Sequence, residues 1–214
     1  TLHNFGATTI TSDVFNTLNV VADPKNASGA VTINKSAATT AGMLTVAGQG
    51  KMGVIDGTLA DLYTSVYFNA TGNLTVADIN FAKATSISAA GAGVTTITAH
   101  TDDLKVTSYT SLGGGLAVGA EIGTGVAFTG GAGKDSVLIG ATTKAISLGG
   151  GDDTATMSAA LGAGGTLAGG LGSDTLVLNV VAGTFADPSA QPRLSGFETL
   201  KLGALANGVY NAAG

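Results

Sequence analysis

Cysteine and tryptophan are absent from this chain of 214 residues, and aromatic residues make up only 5% of it. The lack of cysteine excludes disulfide bridges and cysteine-ligated zinc sites. Charged residues are also scarce, at 11%, and the formal net charge is −5. Because a nucleic-acid surface needs clustered Lys and Arg, this balance argues against a nucleic-acid partner. It is compatible with the binding of cations.

Long apolar runs and enzyme motifs are missing as well. No run of apolar residues is long enough to predict a membrane span, and no basic segment followed by an apolar one opens the chain as a signal peptide would. Because the sequence begins at Thr1 and ends at Gly214, we expect a piece of a longer protein. The only histidines, His3 and His100, lie outside any zinc-protease pattern, and no serine-hydrolase elbow occurs. We therefore predict that the chain is not an enzyme.

Glycine is abundant, with 34 residues, and it is concentrated in a phrase that occurs three times. Each copy ends in an aspartate and is followed by small or β-prone residues. The copies are residues 130–135, 148–153 and 169–174. A short repeat of glycines, an aspartate and an apolar residue is typical of a parallel β-roll that binds Ca²⁺. A flexible glycine-rich linker is the alternative, but the regular aspartates and the apolar Val137, Ile146 and Leu176, which we expect to face inward, argue against it.

The spacing of the aspartates predicts where they lie. Asp135 and Asp153 are eighteen residues apart, which corresponds to two nonapeptides and one full circuit of a flattened coil. We therefore expect them on the same edge, one rung apart, roughly 4.8 Å along the stack. Asp174 follows after twenty-one residues, which we interpret as one circuit plus a three-residue insertion within residues 160–165. The intervening half-turns carry no acid, so the column of aspartates is predicted on one edge only.

The residue types in the phrase are those that a calcium site needs. Glycine adopts turn conformations that a side chain obstructs, and it leaves carbonyl oxygens available. Ca²⁺ takes six to eight oxygen ligands from carboxylates and carbonyls, whereas two carboxylates about 5 Å apart repel by about 3 kcal/mol without a cation. Binding and folding are therefore expected to be one equilibrium. Since calcium sites of extracellular modules are weak, about 10⁻⁴–10⁻³ M, we expect an extracellular location.

The number of sites follows from the number of turns. We predict about two calcium sites, one between the first and second aspartate turns and one between the second and third. One circuit before Asp135, residues 112–117 contain the glycines, but Ala117 stands where the carboxylate is expected. A weaker third site is predicted at that turn.

The remaining sequence predicts short strands and little helix. Apolar residues flanked by Thr and Ser recur every nine to eleven positions from residue 74 onward, and equal spacing is typical of stacked solenoid rungs. Residues 11–19 and 57–68 are the best helix candidates, and Phe197 and Leu200 are expected in the core of a final rung. The strands are predicted near residues 18–22, 30–34, 43–47, 74–76, 86–88, 96–98 and 105–107.

The predicted fold is therefore an all-β parallel solenoid. Residues 1–111 are expected to form a β-rich, β-helix-like scaffold with short helices. Residues 112–214 are expected to form the calcium-binding β-roll and a following capping rung.

The three phrases resemble the repeats-in-toxin (RTX) family, whose consensus is Gly-Gly-x-Gly-x-Asp-x-apolar-x. The second copy departs from it at Leu148, where glycine is usual. The resemblance implies that Asp135, Asp153 and Asp174 are carboxylate ligands of Ca²⁺, with Asp152 as an additional candidate oxygen. The implied carbonyl ligands are Gly131, Gly133, Gly149, Gly151, Gly170 and Gly172.

Residues 130–146, followed later by Gly-Phe-Glu-Thr-Leu at 196–200, are similar to a narrower group, the Caulobacter-type surface-layer (S-layer) proteins. This resemblance covers residues 130–202 and implies export by a type I secretion system and calcium-dependent crystallisation of the chain with its own copies on the bacterial cell surface. Two alternatives are the RTX tail of a secreted protease or lipase and a secreted adhesin or glycan-binding β-helix. The low aromatic content argues against the last one.

Overall fold

The chain is wound into a parallel β-solenoid. The computed structural model describes residues 1–34, 42–57, 63–100, 105–179 and 193–203, and within them eighteen strands form one sheet without an α-helix. The strands are β1 (Leu2–His3), β2 (Thr8–Thr11), β3 (Thr17–Val21), β4 (Val31–Asn34), β5 (Gly42–Gly57), β6 (Tyr63–Asn80), β7 (Ser86–Gly91), β8 (Thr95–Ala99), β9 (Ser108–Ser111), β10 (Leu116–Ile122), β11 (Ala127–Thr129), β12 (Ser136–Ile139), β13 (Ala145–Gly150), β14 (Thr154–Met157), β15 (Thr166–Leu171), β16 (Thr175–Leu178), β17 (Leu194–Ser195) and β18 (Thr199–Leu202).

The strands stack into two faces, because each one pairs in parallel with the strand one circuit later. The first face contains β1, β3, β7, β9, β11, β13, β15 and β17, and the second contains β2, β4, β8, β10, β12, β14, β16 and β18. The long strands β5 and β6 pass from the first face to the second. We call the edge where each circuit passes from the first face to the second the aspartate edge; its turns include residues 112–115, 130–135, 151–153, 172–174 and 196–198.

Alternate side chains of most strands fill the space between the two faces. Val137, Ile146 and Leu176 are 2%, 1% and 6% exposed, so the prediction that they face inward is confirmed. The outward positions are mostly small and hydroxylated, as in Ser136 and Thr154 of the second face. This two-residue alternation explains why a chain rich in Thr and Ser still builds a continuous apolar core. Its largest fully buried side chains include Leu44, Met52, Phe68, Leu74, Leu116 and Phe128.

Most of the predicted strands are confirmed. The segments predicted before residue 100 overlap β3 to β8. The last one, at residues 105–107, is wrong because β9 begins only at Ser108, although Val106 is buried. Leu200 is 47% exposed rather than part of the core, because β18 pairs with β16 and with no other described strand. Phe197 packs against the core.

The helix predicted over residues 11–19 is wrong. Thr11 ends β2, and β3 begins at Thr17 after a turn. Leu18 is buried and lies in register with Val46 of the next rung. Pairing with neighbouring strands therefore overrides the weak local preference for helix.

The helix predicted over residues 57–68 is wrong for the part that the structure describes. Gly57 ends β5, and β6 begins directly after residues 58–62, which lie outside the described residues. Val66 and Phe68 are buried and alternate with more exposed neighbours. Tyr63 and Val66, two of the apolar residues that suggested one face of a helix, are buried in a strand that pairs on both sides.

The stacking continues through the boundary predicted at residues 111 and 112. On one side of it, β9 pairs with β7 and β11, and on the other side β10 pairs with β8 and β12. The distinction between residues 1–111 and 112–214 therefore does not correspond to a break in the sheet. It stays a prediction about which rungs bind calcium.

Phe128 provides a test of the shared core. It is 1% exposed and lies in register between Tyr109 and Ile146 of the adjacent rungs. We expect Phe128→Ala to lower the free energy of unfolding by about 3–5 kcal/mol, because it removes a large buried side chain and leaves a cavity. Urea denaturation measures this, with the 85%-exposed Val14 replaced by Ala as the control. Equal effects of the two substitutions would contradict the inward packing of Phe128.

Candidate metal centre

The three aspartates of the repeated phrase stand in one column at the aspartate edge. The residue after each aspartate pairs in register with the residue after the next one. Asp135, Asp153 and Asp174 therefore lie one rung apart, as the spacing predicted. Their side chains are completely or almost completely buried, with exposures of 0%, 1% and 0%. The fold thus brings three carboxyl groups into the interior of the coil.

The longer interval before the third aspartate is explained by one connection. The strands β12 and β13 are joined by residues 140–144, whereas β14 and β15 are joined by residues 158–165. The three extra residues lie at the edge opposite the aspartates, so the interpretation of a three-residue insertion is confirmed. Because the insertion is accommodated there, the column of aspartates remains in register.

Each aspartate carboxylate accepts a main-chain hydrogen bond from the rung before it. The Oδ1 atom of Asp135 accepts the N–H of Leu116 at 2.6 Å. The Oδ1 atom of Asp153 accepts the N–H of Asp135 at 2.7 Å, and that of Asp174 accepts the N–H of Asp153 at 2.9 Å. These bonds satisfy buried donors at the turns, where the strand ladder has ended. We call this chain of carboxyl groups the aspartate ladder.

The second oxygen of each carboxyl group is poorly satisfied. Oδ2 of Asp153 and Oδ2 of Asp174 are buried and have no hydrogen-bond partner among the described residues. Oδ2 of Asp135 accepts only a long bond of 3.3 Å, from the N–H of Gly131. An ionised carboxylate that is buried without a full set of partners is costly, and a cation beside it offsets that cost. The unsatisfied oxygens are the feature of this structure that fits a bound divalent cation.

Burial raises the pKa of two of these carboxyl groups. For Asp153 desolvation is the main cause, and despite the opposing hydrogen bond from the Asp135 N–H the pKa rises to about 6. The neighbouring charges of Asp135, Asp174 and Asp152 add to that rise. For Asp135 desolvation also outweighs the hydrogen bond from Leu116 and raises the pKa. Without a cation, folding therefore favours the protonated form of these two carboxyl groups.

The glycines of the turns adopt conformations that other residues avoid. Gly149, Gly151, Gly170 and Gly172 have φ angles of 92°, 125°, 115° and 130°. A Cβ atom on Gly172 would stand 1.8 Å from the carbonyl oxygen of Gly151 in the rung before. Backbones of successive turns thus approach so closely that only glycine fits between them.

The remaining implied carbonyl ligands differ from those four. Gly131 and Gly133 are not among the glycines with positive φ. The carbonyl oxygen of Gly131 accepts a hydrogen bond from the N–H of Gly150 at 2.7 Å. One lone pair of this oxygen is therefore already used in a hydrogen bond between successive turns. The role of these carbonyl groups in holding calcium stays a prediction.

Asp152 lies beside the ladder but is not a member of it. Its side chain is exposed, and its Oδ1 atom accepts the N–H of Ser173 in the next turn at 3.0 Å. Its charge contributes to the raised pKa of Asp153. Asp152 therefore stabilises the following turn from outside, and a ligand role for it stays a prediction.

The ladder position one rung before Asp135 belongs to Leu116 and not to Ala117. Ala117 pairs with Ser136, which places the fully buried Leu116 level with Asp135. This circuit has nineteen residues rather than eighteen, so counting back by eighteen identifies the wrong residue. Since leucine supplies no oxygen, the weaker third site predicted at this turn would rest on carbonyl groups alone.

Glu198 occupies the next ladder position, although it lies outside the three repeated phrases and was not among the predicted ligands. The pairing of Thr175 with Thr199 places Glu198 level with Asp174, and its Oε2 atom accepts the Asp174 N–H at 2.7 Å. A signal was present in the sequence, because Gly-Phe-Glu-Thr-Leu at residues 196–200 repeats the pattern of Gly-Ser-Asp-Thr-Leu at 172–176.

Side chains alone do not form a complete metal site here. Among the described residues, no three His, Cys, Asp or Glu side chains come close enough together to hold a metal ion. A Ca²⁺ ion at the ladder would take one or two carboxylates and complete its shell with main-chain carbonyl oxygens, which are suitable ligands for this cation.

Comparison with known proteins identifies no family. No model of a protein family matches the sequence, and no curated protein matches it. The described residues also contain no helix that is long and apolar enough to cross a membrane. The resemblance to RTX and surface-layer proteins therefore stays a hypothesis that rests on the quoted motifs, and the ladder geometry is an independent argument.

The close approach of turns at Gly172 is testable. Gly172→Ala would place a methyl group against the Gly151 carbonyl at a positive φ. We expect it to lower the free energy of unfolding by at least about 1–3 kcal/mol. Gly123→Ala is the matched control, because no atom lies within 4 Å of its Cβ position and its φ is not in the left-handed region. Urea denaturation should show the control as neutral or slightly stabilised, and equal losses would refute the packing argument.

The raised pKa of Asp153 predicts a specific pH dependence in calcium-free buffer. Its pKa is about 6 in the folded chain against an ordinary value of 3.8, so folding favours the protonated form. This contribution to stability is complete below pH 3.8 and is lost as the pH rises through about 6. Thermal unfolding between pH 4 and pH 7.5 should therefore show falling stability, and Asp153→Asn should flatten the fall. An unchanged slope in the variant would contradict this assignment.

Proposed function

We propose that this chain is a structural unit of a bacterial surface layer, and that Ca²⁺ drives both its folding and its self-assembly into a two-dimensional lattice. The observation that carries the calcium part is the column of three buried aspartates with unsatisfied carboxylate oxygens. Asp135, Asp153 and Asp174 provide carboxylate oxygens, and glycines of the adjacent turns provide carbonyl oxygens. The bound cation supplies positive charge that neutralises the ladder. The proposal includes no catalytic role.

The charge balance of the ladder supports the coupling of calcium to folding. The rungs place successive carboxyl groups about 5 Å apart, where two ionised groups repel by about 3 kcal/mol at an effective dielectric near 20. In the unfolded chain the same aspartates are eighteen or more residues apart, so no preformed site exists there. A cation that binds only the folded ladder therefore stabilises the fold by mass action.

This coupling suits a protein that leaves the cell before it folds. Extracellular calcium modules have dissociation constants of about 10⁻⁴–10⁻³ M, well above the calcium concentration of cytosol. The chain stays unfolded inside the cell, passes through a type I secretion system and closes into its coil outside. An extracellular position on the cell surface follows from this sequence of events.

The outer surfaces of the coil support packing against further copies of the chain. On the second face, one column of outward positions consists of small side chains in direct register. Its members are Thr75, Thr96, Ala117, Ser136, Thr154, Thr175 and Thr199. The charged Lys51 precedes Thr75 in the same register, so the part of the column from Thr75 to Thr199 is the part whose small side chains allow the close approach of a second flat surface. The lattice part of the proposal rests on this shape and on the surface-layer resemblance.

Calcium titration tests the folding part. In calcium-free buffer at neutral pH we expect reduced β-structure by circular dichroism and a low melting temperature. Calcium at about 100 times its dissociation constant should stabilise the fold by about 2.7 kcal/mol for each occupied site. The triple variant Asp135→Asn, Asp153→Asn, Asp174→Asn should lose this response, while Asp56→Asn on another part of the coil should keep it. Identical melting in calcium and in chelator would refute the calcium role.

Electron microscopy of the same samples tests the lattice part. Ordered sheets that form with calcium and dissolve in chelator are the expected result. Calcium-dependent folding without any assembly would contradict the surface-layer role and favour the tail of a secreted enzyme instead. Binding to a glycan array by a monomeric folded chain would favour the adhesin.

A further inference from the structure

We propose that Glu198 and Asp174 form an additional Ca²⁺ site at the C-terminal end of the aspartate ladder, with the carbonyl oxygen of Gly196 as a third ligand. This inference rests on the proposed function of the ladder and extends it by one rung. It assigns a ligand role to a glutamate outside the three repeated phrases.

The register gives Glu198 the position that an aspartate holds in the other rungs. The Thr199 N–H donates to the carbonyl oxygen of Asp174 at 3.0 Å, so strand pairing continues beside the two carboxyl groups. The Oε2 atom of Glu198 then accepts the Asp174 N–H at 2.7 Å. The corresponding bonds within the ladder measure 2.6 to 2.9 Å. Glu198 therefore continues the same chain of main-chain to carboxylate hydrogen bonds.

An unsatisfied oxygen points into this site. The side chain of Asp174 is 0% exposed, and its Oδ2 atom has no hydrogen-bond partner among the described residues. That atom lies 2.7 Å from the point where a Cβ on Gly169 would stand, and the carbonyl oxygen of Gly196 lies 1.8 Å from the same point. Both oxygens therefore border the space that a side chain on Gly169 would fill. Carboxylate and carbonyl oxygens are the ligands that a hard cation such as Ca²⁺ takes.

The glutamate differs from the aspartates in its exposure. Glu198 is exposed, whereas the three aspartates are buried, so its charged form retains part of its hydration. A carboxylate that is partly hydrated carries its negative charge at a lower cost than one in the interior. This end of the ladder therefore combines one buried and one accessible carboxyl group, which gives the cation a route from solvent.

A simpler role for Glu198 would be to satisfy the Asp174 N–H and no more. The substitution Glu198→Gln separates the two roles, because the amide oxygen still accepts that hydrogen bond while the negative charge is removed. If Glu198 is a ligand, isothermal titration calorimetry on the whole chain should show one fewer bound Ca²⁺ than the wild type. The melting temperature in calcium-free buffer should not fall. Glu121→Gln, at the only other glutamate, is the control, because Glu121 also accepts a hydrogen bond, from the Ser158 hydroxyl.

Gly169→Ala is a second variant that leaves both carboxyl groups intact. Its Cβ would occupy the space between the Asp174 carboxylate and the Gly196 carbonyl, so we expect loss of the same ion. Wild-type stoichiometry in both Glu198→Gln and Gly169→Ala overturns this inference and leaves the three-aspartate ladder in place. A wild-type chain that binds no Ca²⁺ overturns the proposed function itself, so the two failures are distinguishable.

Discussion

The hydrogen bond from a main-chain N–H to the carboxylate of the following rung is the interaction on which the aspartate edge depends. It forms only if the two rungs are in register, and it uses one carboxylate oxygen while leaving the other unsatisfied. Order at the turns and the unsatisfied oxygens that fit a cation therefore come from the same carboxyl groups. The sheet brings these groups together, and their mutual repulsion is a cost that a bound cation would offset.

The repeat spacing predicted the features that depend on counting residues. The parallel solenoid, the alignment of Asp135 with Asp153 and the insertion before Asp174 all follow from a circuit of fixed length. The error at Ala117 has the same origin, because the circuit from Leu116 to Asp135 has nineteen residues and includes the register shift of β10. That rung lacks the full repeated phrase, so its length cannot be counted from the sequence. The local spacing of apolar residues was a less reliable guide where strand pairing decides the structure. It predicted two helices in segments that form paired strands.

Glu198 shows why part of the site could not be found from the motif alone. The motif specifies aspartate after a run of glycines, whereas this rung has one glycine and a longer acidic side chain. The register with Thr175, set by the pairing of β16 with β18, shows that the position is equivalent, and the likeness of residues 196–200 to residues 172–176 was the one signal of it in the sequence. Leu200 on the same strand shows the limit of an apolar pattern, since it is exposed although it pairs in register with the buried Leu176.

The polarity of the ladder has an evolutionary consequence. Every carboxyl group accepts a hydrogen bond from a main-chain N–H of the preceding rung. Each aspartate rung therefore both accepts such a bond and donates one to the next rung. A duplicated rung inserted between Asp135 and Asp174 would have an aspartate rung on either side. Such a coil can lengthen or shorten by whole circuits through gene-level repeat expansion, while the residues at its two boundaries stay the same.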